Sequence, residues 1–308
     1  MNGSTTRIRG VVTAVATPVD AALQPDHRAL VEHARWLLGN GCDGLNILGT
    51  TGSFASFTVA QRLGIMHSLA SSGLPLHTMM VGTGASALGD AVELTRAAVA
   101  LRFAGALVIP PFYYKGVSED GVFAYLATLI ERVGAAELRM YLYNFPANSG
   151  VPYTLPLVGR LLAAYPDVIV GLKDSSNDAA YAAALQREFP QLDVFPSSES
   201  VLAASRRAGY AGCISATANV TAPLCARVCS AAGDAEADAR EAEVAAVRAA
   251  ILSVPSIPAI HALLAELHAD DVWSRLVPPL HALDESERAA LETRLAATVY
   301  RKEHAARR

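Results

Sequence analysis

Between about residue 9 and residue 234, short apolar runs alternate with longer stretches in which apolar residues recur at helical spacing. The short runs, at 10–16, 44–48, 77–82, 106–109, 139–143, 168–172, 192–195 and 212–215, predict eight strands. The stretches between them open on capping residues: Asp26, Thr58 with Gln61 three positions on, Ser86, Ser118 followed by Glu119 and Asp120, and Thr154 before Pro156. A strand followed by a helix, repeated eight times, predicts a (β/α)8 TIM barrel rather than a doubly wound sheet. After residue 234 the strand signal ends. An alanine-rich helical pattern then runs to about residue 301, with breaks expected at Pro255, Pro258 and Pro278-Pro279. The expected organisation is therefore a barrel over 1–234 that holds the site. A C-terminal helical extension over 235–308 is expected to pack on it, since no flexible linker precedes it, and the last residues, RKEHAARR, read as a solvated tail.

Composition narrows the class without changing the fold. A chain of 308 residues suits one large barrel or two smaller domains, and 52% hydrophobic with 18% charged residues reads as an ordinary soluble globular protein. A formal net charge of -4 gives no electrostatic attraction to nucleic acid, and no polyanion partner is expected. Cys42, Cys213, Cys225 and Cys229 form no C-x-x-C or Cys/His pattern, so neither a disulfide framework nor a zinc site is expected. No apolar run reaches membrane-span length and MNGSTTRIRG lacks the core of a signal peptide, so the expected location is the cytoplasm.

The chemistry-bearing residues gather at the C-terminal ends of the expected strands, where barrel enzymes build their sites. Strand two runs into Gly49-Thr50-Thr51-Gly52-Ser53, strand four into Pro110-Pro111-Phe112-Tyr113-Tyr114, and strand five into Tyr143-Asn144-Phe145-Pro146. Strand six, in DVIVGLKDSS, ends at Lys173, one of only three lysines beside Lys115 and Lys302. Burial at a strand end favours the neutral amine, a nucleophile for carbonyl carbon. The plainer reading of the decapeptide alone is a lysine that caps a strand and reaches solvent. Glycines flanking two threonines expose amide and hydroxyl donors suited to a small carboxylate, or simply make a tight turn. Tyrosine hydroxyls can relay protons beside an amine, although either tyrosine alone reads equally as a packed aromatic. Gly82-Thr83-Gly84 lacks the rest of a phosphate loop. Strand one, VVTAVAT, has no His-x-His, the ends of strands three to five supply no row of carboxylates or histidines, and His261 and His268 read as surface or packing residues. No metal is expected.

Taken in order, GTTG at 49–52, the pair Tyr113 and Tyr114, YNFP at 143–146, GLKD at 171–174 and GCISATANV at 212–220 resemble the family of dihydrodipicolinate synthase and N-acetylneuraminate lyase, the pyruvate-dependent class I aldolases. The similarity runs over nearly the whole chain. It implies that Lys173 forms a Schiff base with the ketone of pyruvate and that Tyr143 moves protons at the carbinolamine and the new C–C bond. It further implies that Thr50 sits in the relay, and that Tyr114 extends it into the site of a neighbouring subunit of a homotetramer. Thr51 and the Gly49 loop would hold the pyruvate carboxylate, and Ile214 would flank it. The covalent imine is itself the electron sink, so no added cofactor is implied.

Two departures bear on the second substrate. Where dihydrodipicolinate synthases carry an arginine two residues after the YN-x-P proline, this chain has Asn148, and where many members carry glutamate after GTTG it has Ser53. Loss of the guanidinium fork removes a partner for an aldehyde's carboxylate, while a neutral amide suits hydroxyls. The favoured expectation is a lyase or aldolase acting on a hydroxylated 2-keto acid of the 2-keto-3-deoxy sugar acid type. The alternatives are a dihydrodipicolinate synthase condensing pyruvate with aspartate semialdehyde, and, in another class, a non-catalytic pyruvate-binding regulatory barrel.

Overall fold

The computed structural model describes residues 7–301. Its strands are β1 (Gly10–Ala14), β2 (Gly44–Ile47), β3 (Met79–Gly82), β4 (Gly105–Val108), β5 (Met140–Asn144), β6 (Ile169–Asp174), β7 (Asp193–Pro196) and β8 (Gly212–Ser215). They form one 8-stranded parallel sheet in the order β7-β6-β5-β4-β3-β2-β1-β8. The Ala211 N–H donates to the Val194 carbonyl at 3.0 Å, which draws the start of β8 against β7 and closes the ring. The expected barrel is therefore the observed one.

Around it lie α1 (His27–Gly39), α2 (Val59–Ser71), α3 (Leu88–Ala100), α4 (Glu119–Val133), the single turn α5 (Pro146–Ser149), α6 (Leu155–Ala164), α7 (Ala179–Glu188), α8 (Leu202–Arg207) and α9 (Ala218–Cys229). The chain continues through α10 (Asp234–Ile251), α11 (Ser256–His268) and α12 (Glu285–Ala296). Asp26, Thr58, Ser118 and Thr154 each accept an otherwise orphaned backbone N–H at the start of α1, α2, α4 and α6, and Thr58 with Gln61 completes a capping box. Ser86 does not cap α3, whose N-cap is Ala87 with no side-chain bond. Strand β3 begins at Met79 because Leu76–Thr78 forms a 3-10 turn after Pro75. Pro258 does not break α11: it lies in the first turn, where its missing N–H has no intrahelical partner to lose.

Register decides which side chains enter the barrel, because partners across parallel strands point to the same side and successive residues alternate. From Lys173 the partners run to Tyr143 on β5, and Tyr141, two residues earlier, pairs with Leu107 on β4. Leu107 pairs with Gly82, and Met80, two residues before it, pairs with Asn46, which pairs with Ala14. Lys173, Tyr143, Tyr141, Leu107, Asn46 and Ala14 thus share the inner face. Below the site Tyr141 fills the barrel. A Cβ on Gly171 would lie 2.4 Å from its ring and one on Gly105 2.7 Å, so both positions must lack one.

α10 packs along α9 and ties back to the barrel by charge. Arg248 Nη1 lies 2.9 Å from Glu199 Oε2, 3.0 Å from Ser215 Oγ and 2.7 Å from Thr217 Oγ1. Glu199 is fully buried, and hydroxyls of Ser215, Thr217 and Thr221 donate to its carboxylate. A carboxylate this far from water persists only because each lone pair has a donor, one of them the partly exposed Arg248. Among the described residues no single helix is long and apolar enough to cross a membrane. Residues 302–308, the greater part of the expected tail, lie outside the described residues.

Candidate active site

Lys173 sits inside β6 near its C-terminal end and is 4% exposed. Its Nζ lies 4.3 Å from the centroid of the Tyr143 ring, the side chain of its register partner. Tyr143, also 4% exposed, presents its hydroxyl 3.1 Å from Thr50 Oγ1 at the end of β2. Three residues expected from separate strand ends thus meet across the barrel mouth. An amine beside a tyrosine whose hydroxyl meets a threonine hydroxyl is equipped to attack a carbonyl and to have protons passed along the pair.

The loop carrying Thr50 is bent by two non-glycine residues in the left-handed region, Leu48 at φ 57° and Ser53 at φ 53°. Each costs on the order of 1 kcal/mol, a cost that surrounding packing must offset. The Ser53 N–H closes the turn on the Thr50 carbonyl at 3.0 Å. Within it Gly49 and Thr51 are buried and Ser53 is half-buried. Ile214 is fully buried on β8, and through its partner Val12 it shares the inner face with Ala14.

Two expected residues stand apart. Tyr114 is 73% exposed and packs edge-on against the equally exposed Tyr113, with ring centroids 5.3 Å apart. Within this chain it does not reach Tyr143 or Thr50 by any hydrogen bond among the described residues. Asn148 is exposed on α5, its backbone N–H bonded to the Phe145 carbonyl at 3.0 Å. Lys115 is exposed, and its ammonium donates to the carbonyls of Phe112 and, at 2.8 Å, Ser149. Lys302 lies outside the described residues.

One group near the mouth escaped the sequence reading. Arg62 on α2 is 4% exposed, stacks its guanidinium 5.3 Å from the Phe54 ring centroid, and donates to the carbonyls of Gly82 at 2.9 Å and Gly84 at 3.2 Å. Burial pushes its pKa down to about 10, which still leaves it cationic at neutral pH. Phe54, Leu107, Ile109 and Tyr143 line a narrow pocket with Leu48, and a cation behind that wall favours anions at the mouth. The signal was present in the sequence: Arg62 falls in the buried stripe of Ile65, Met66 and Leu69, where period 3.6 calls for an apolar residue. A larger cleft of about 680 Å³ lies at the opposite end of the barrel, between Arg7, Arg139, Tyr165 and Asp167, and holds none of the expected site residues. Among the described residues no three His, Cys, Asp or Glu side chains gather as a metal-holding group.

A model of the Dihydrodipicolinate synthetase family matches residues 7–298. The chain belongs to that family, whose members are class I aldolases and lyases. It is 34% identical over 293 residues to a DapA-like lyase of Chloroflexus aurantiacus, covering 92% of this chain and 94% of the relative. Among solved structures it superposes on dihydrodipicolinate synthase from Agrobacterium tumefaciens with a TM-score of 0.85 at 29% identity, covering 94% of this chain and 99% of that one. It also superposes on YagE, a prophage protein of the same family from E. coli K12 solved in complex with pyruvate, with a TM-score of 0.84 at 25% identity and coverage of 94% and 98%.

Proposed function

We propose that this chain is a pyruvate-dependent lyase in which Lys173 forms the imine and Tyr143 and Thr50 move the protons. The observation that carries the reading is the buried Lys173 amine 4.3 Å from the ring of Tyr143, whose hydroxyl lies 3.1 Å from Thr50. Attack of the neutral amine on the ketone gives a carbinolamine, and Tyr143 donates the proton that lets water leave. The resulting iminium withdraws electrons from C3, so that a proton or an aldehyde fragment is released there and the enamine forms. The donors of the Gly49–Thr51 turn hold the carboxylate, and Ile214 packs against the methyl side. The exposed Tyr114 completes the relay in a neighbouring copy within a homotetramer, which accounts for a large aromatic at 73% exposure on the site face.

For the second substrate we favour a hydroxylated 2-keto acid of the 2-keto-3-deoxy sugar acid type. Asn148 on α5 offers an uncharged amide, and the ammonium of Lys115, which follows β4, is already bonded to the carbonyls of Phe112 and Ser149, so neither residue offers an uncommitted cation to an aldehyde carboxylate. Condensation with aspartate semialdehyde remains the competing reaction. Borohydride reduction with pyruvate should leave a fixed mass on the peptide containing Lys173, and an adduct on Lys115 or Lys302, or none, overturns the mechanism. Pyruvate release from 2-keto-3-deoxy acids and from N-acetylneuraminate is then set against condensation with aspartate semialdehyde. Efficient condensation with every sugar acid inert would reverse the substrate assignment.

A further inference from the structure

Among the described residues three asparagines are buried, Asn46, Asn144 and Asn219. Two have both ends of the amide satisfied. Asn144 donates to Asp174 and accepts from the Tyr153 N–H. Asn219 donates to the carbonyls of Ala14 and Ala216 and accepts from the Ala16 N–H and His33. Asn46 is 0% exposed, and neither its Nδ2 nor its Oδ1 has a hydrogen-bond partner among the described residues. Its backbone is not at fault, since its carbonyl accepts from the Val15 N–H at 2.9 Å. A buried primary amide with both ends free is destabilising in the resting protein, and shape alone would be served better by leucine.

The position of that amide is specific. Asn46 shares the inner face of the barrel with Lys173 and Tyr143, as the chain of register partners establishes. It lies directly beneath the carboxylate loop: a Cβ on Gly49 would stand 2.6 Å from Asn46 Oδ1. The first glycine of that loop is therefore required by the amide, and the two residues form one unit. A second buried polar atom without a partner, Thr17 Oγ1, lies under the same loop, 3.1 Å from where a Cβ on Gly52 would be.

We propose that Asn46 is a substrate-binding residue: its amide, held by no partner at either end, turns its Nδ2 in place of Oδ1 toward the Gly49 to Thr51 turn and donates a hydrogen bond to the carboxylate of the keto acid held there. This rests on the imine reading of Lys173. The amide's free N–H is satisfied only when the keto acid is bound, so the interaction is made in the complex and missing in the free protein. Such a residue trades resting stability for affinity.

That trade is the test, with wild type, Asn46→Leu and Asn46→Ala compared in two measurements. The first is the pyruvate concentration that half-saturates the borohydride-trapped adduct on Lys173, which needs no second substrate. The second is Tm. Asn46→Leu should keep or raise Tm while the half-saturating concentration rises about tenfold, the effect of one hydrogen bond to a charged acceptor. Asn46→Ala should show the same rise in half-saturation whatever its Tm, which keeps the test open if leucine overpacks. Unchanged half-saturation in both variants, with Tm lowered, would mark Asn46 as structural and overturn the inference. A wild-type chain that traps no pyruvate on Lys173 removes the imine reading, and this inference falls with it.

Discussion

Strands β5 and β6 use their two faces in opposite ways at the same level. Outward, Asn144 and Asp174 are register partners, and every polar atom of the pair is engaged. Asp174 Oδ1 accepts from Asn144 Nδ2 at 2.8 Å and from the Ser176 N–H at 3.1 Å, its Oδ2 accepts from Ser176 Oγ at 2.9 Å, and Asn144 Oδ1 accepts from the Tyr153 N–H at 3.0 Å. Burial pushes the Asp174 carboxyl above the usual range, while these donors pull it back. Inward, one residue earlier on each strand, Tyr143 and Lys173 are also register partners. There the amine faces an aromatic ring and the phenol meets a single threonine hydroxyl. Polar groups satisfied by the chain itself hold the strands in register. Groups with donors to spare, on the face that opens to the mouth, are those a substrate can use.

The two faces should therefore fail differently. Lys173→Met should abolish the pyruvate adduct and lower turnover by ~10⁴-fold or more, as removal of a covalent nucleophile does, with the circular dichroism spectrum unchanged. Residual turnover within tenfold of wild type would move the nucleophile elsewhere. Tyr143→Phe comes next, with a loss of about 10²-fold in turnover and pyruvate still trapped on Lys173, because the ring stays and only the proton relay goes. An unchanged rate would assign the proton transfer to another group.

Much of this was legible because periodicity and strand-end chemistry reinforce one another. The eight apolar runs and the polar residues that follow them predict both the barrel and the rim on which Lys173, Tyr143 and Thr50 meet. What stayed hidden depends on facing and on distant partners. Asn46 was visible as a polar residue in an apolar strand, but only register shows that it points inward and only packing shows its amide without partners. Glu199 and Arg248 are 49 residues apart, and no local pattern signals that they pair. Tyr114 follows β4 as the sequence order requires, yet its high exposure belongs to the folded chain alone and no motif could convey it.

On the outward face the expected loss is in stability. Asp174→Ala leaves the buried Asn144 amide without its acceptor, and the urea unfolding free energy should fall by about 1–3 kcal/mol. Lys173→Met should change stability less than that while changing turnover far more. If the two variants rank the same way in both measurements, the division between holding and reacting faces is wrong for this strand pair.

The smallest effect tests the same division away from the site. Asn219 Nδ2 is committed to the Ala14 and Ala216 carbonyls, so its Oδ1 must accept from His33 Nε2 at 3.0 Å. His33 Nδ1 is then bare and accepts from His268 Nε2 at 2.9 Å. Each histidine proton has one place, and a second proton on His33 would meet the N–H of His268. Burial accordingly pushes the His33 pKa down from 6.5 to about 3, and that of His261 to about 4. A folded pKa below the unfolded one means that the unfolded chain binds the proton first. The stabilisation is then complete above pH 6.5 and is lost as pH falls from there toward 3. Between pH 7.5 and 5.5 the His33 contribution to the loss should be about 1.4 kcal/mol, too high a range for ordinary carboxylates to contribute much. His33→Gln keeps a donor toward Asn219 but cannot take up a proton. Its urea unfolding free energy should therefore fall less than that of the wild type over the same interval, by that difference, whatever its absolute stability. Equal losses in the two proteins would show that the folded state accepts the His33 proton without penalty, and the fixed direction of the His268 to His33 to Asn219 chain would have to be given up.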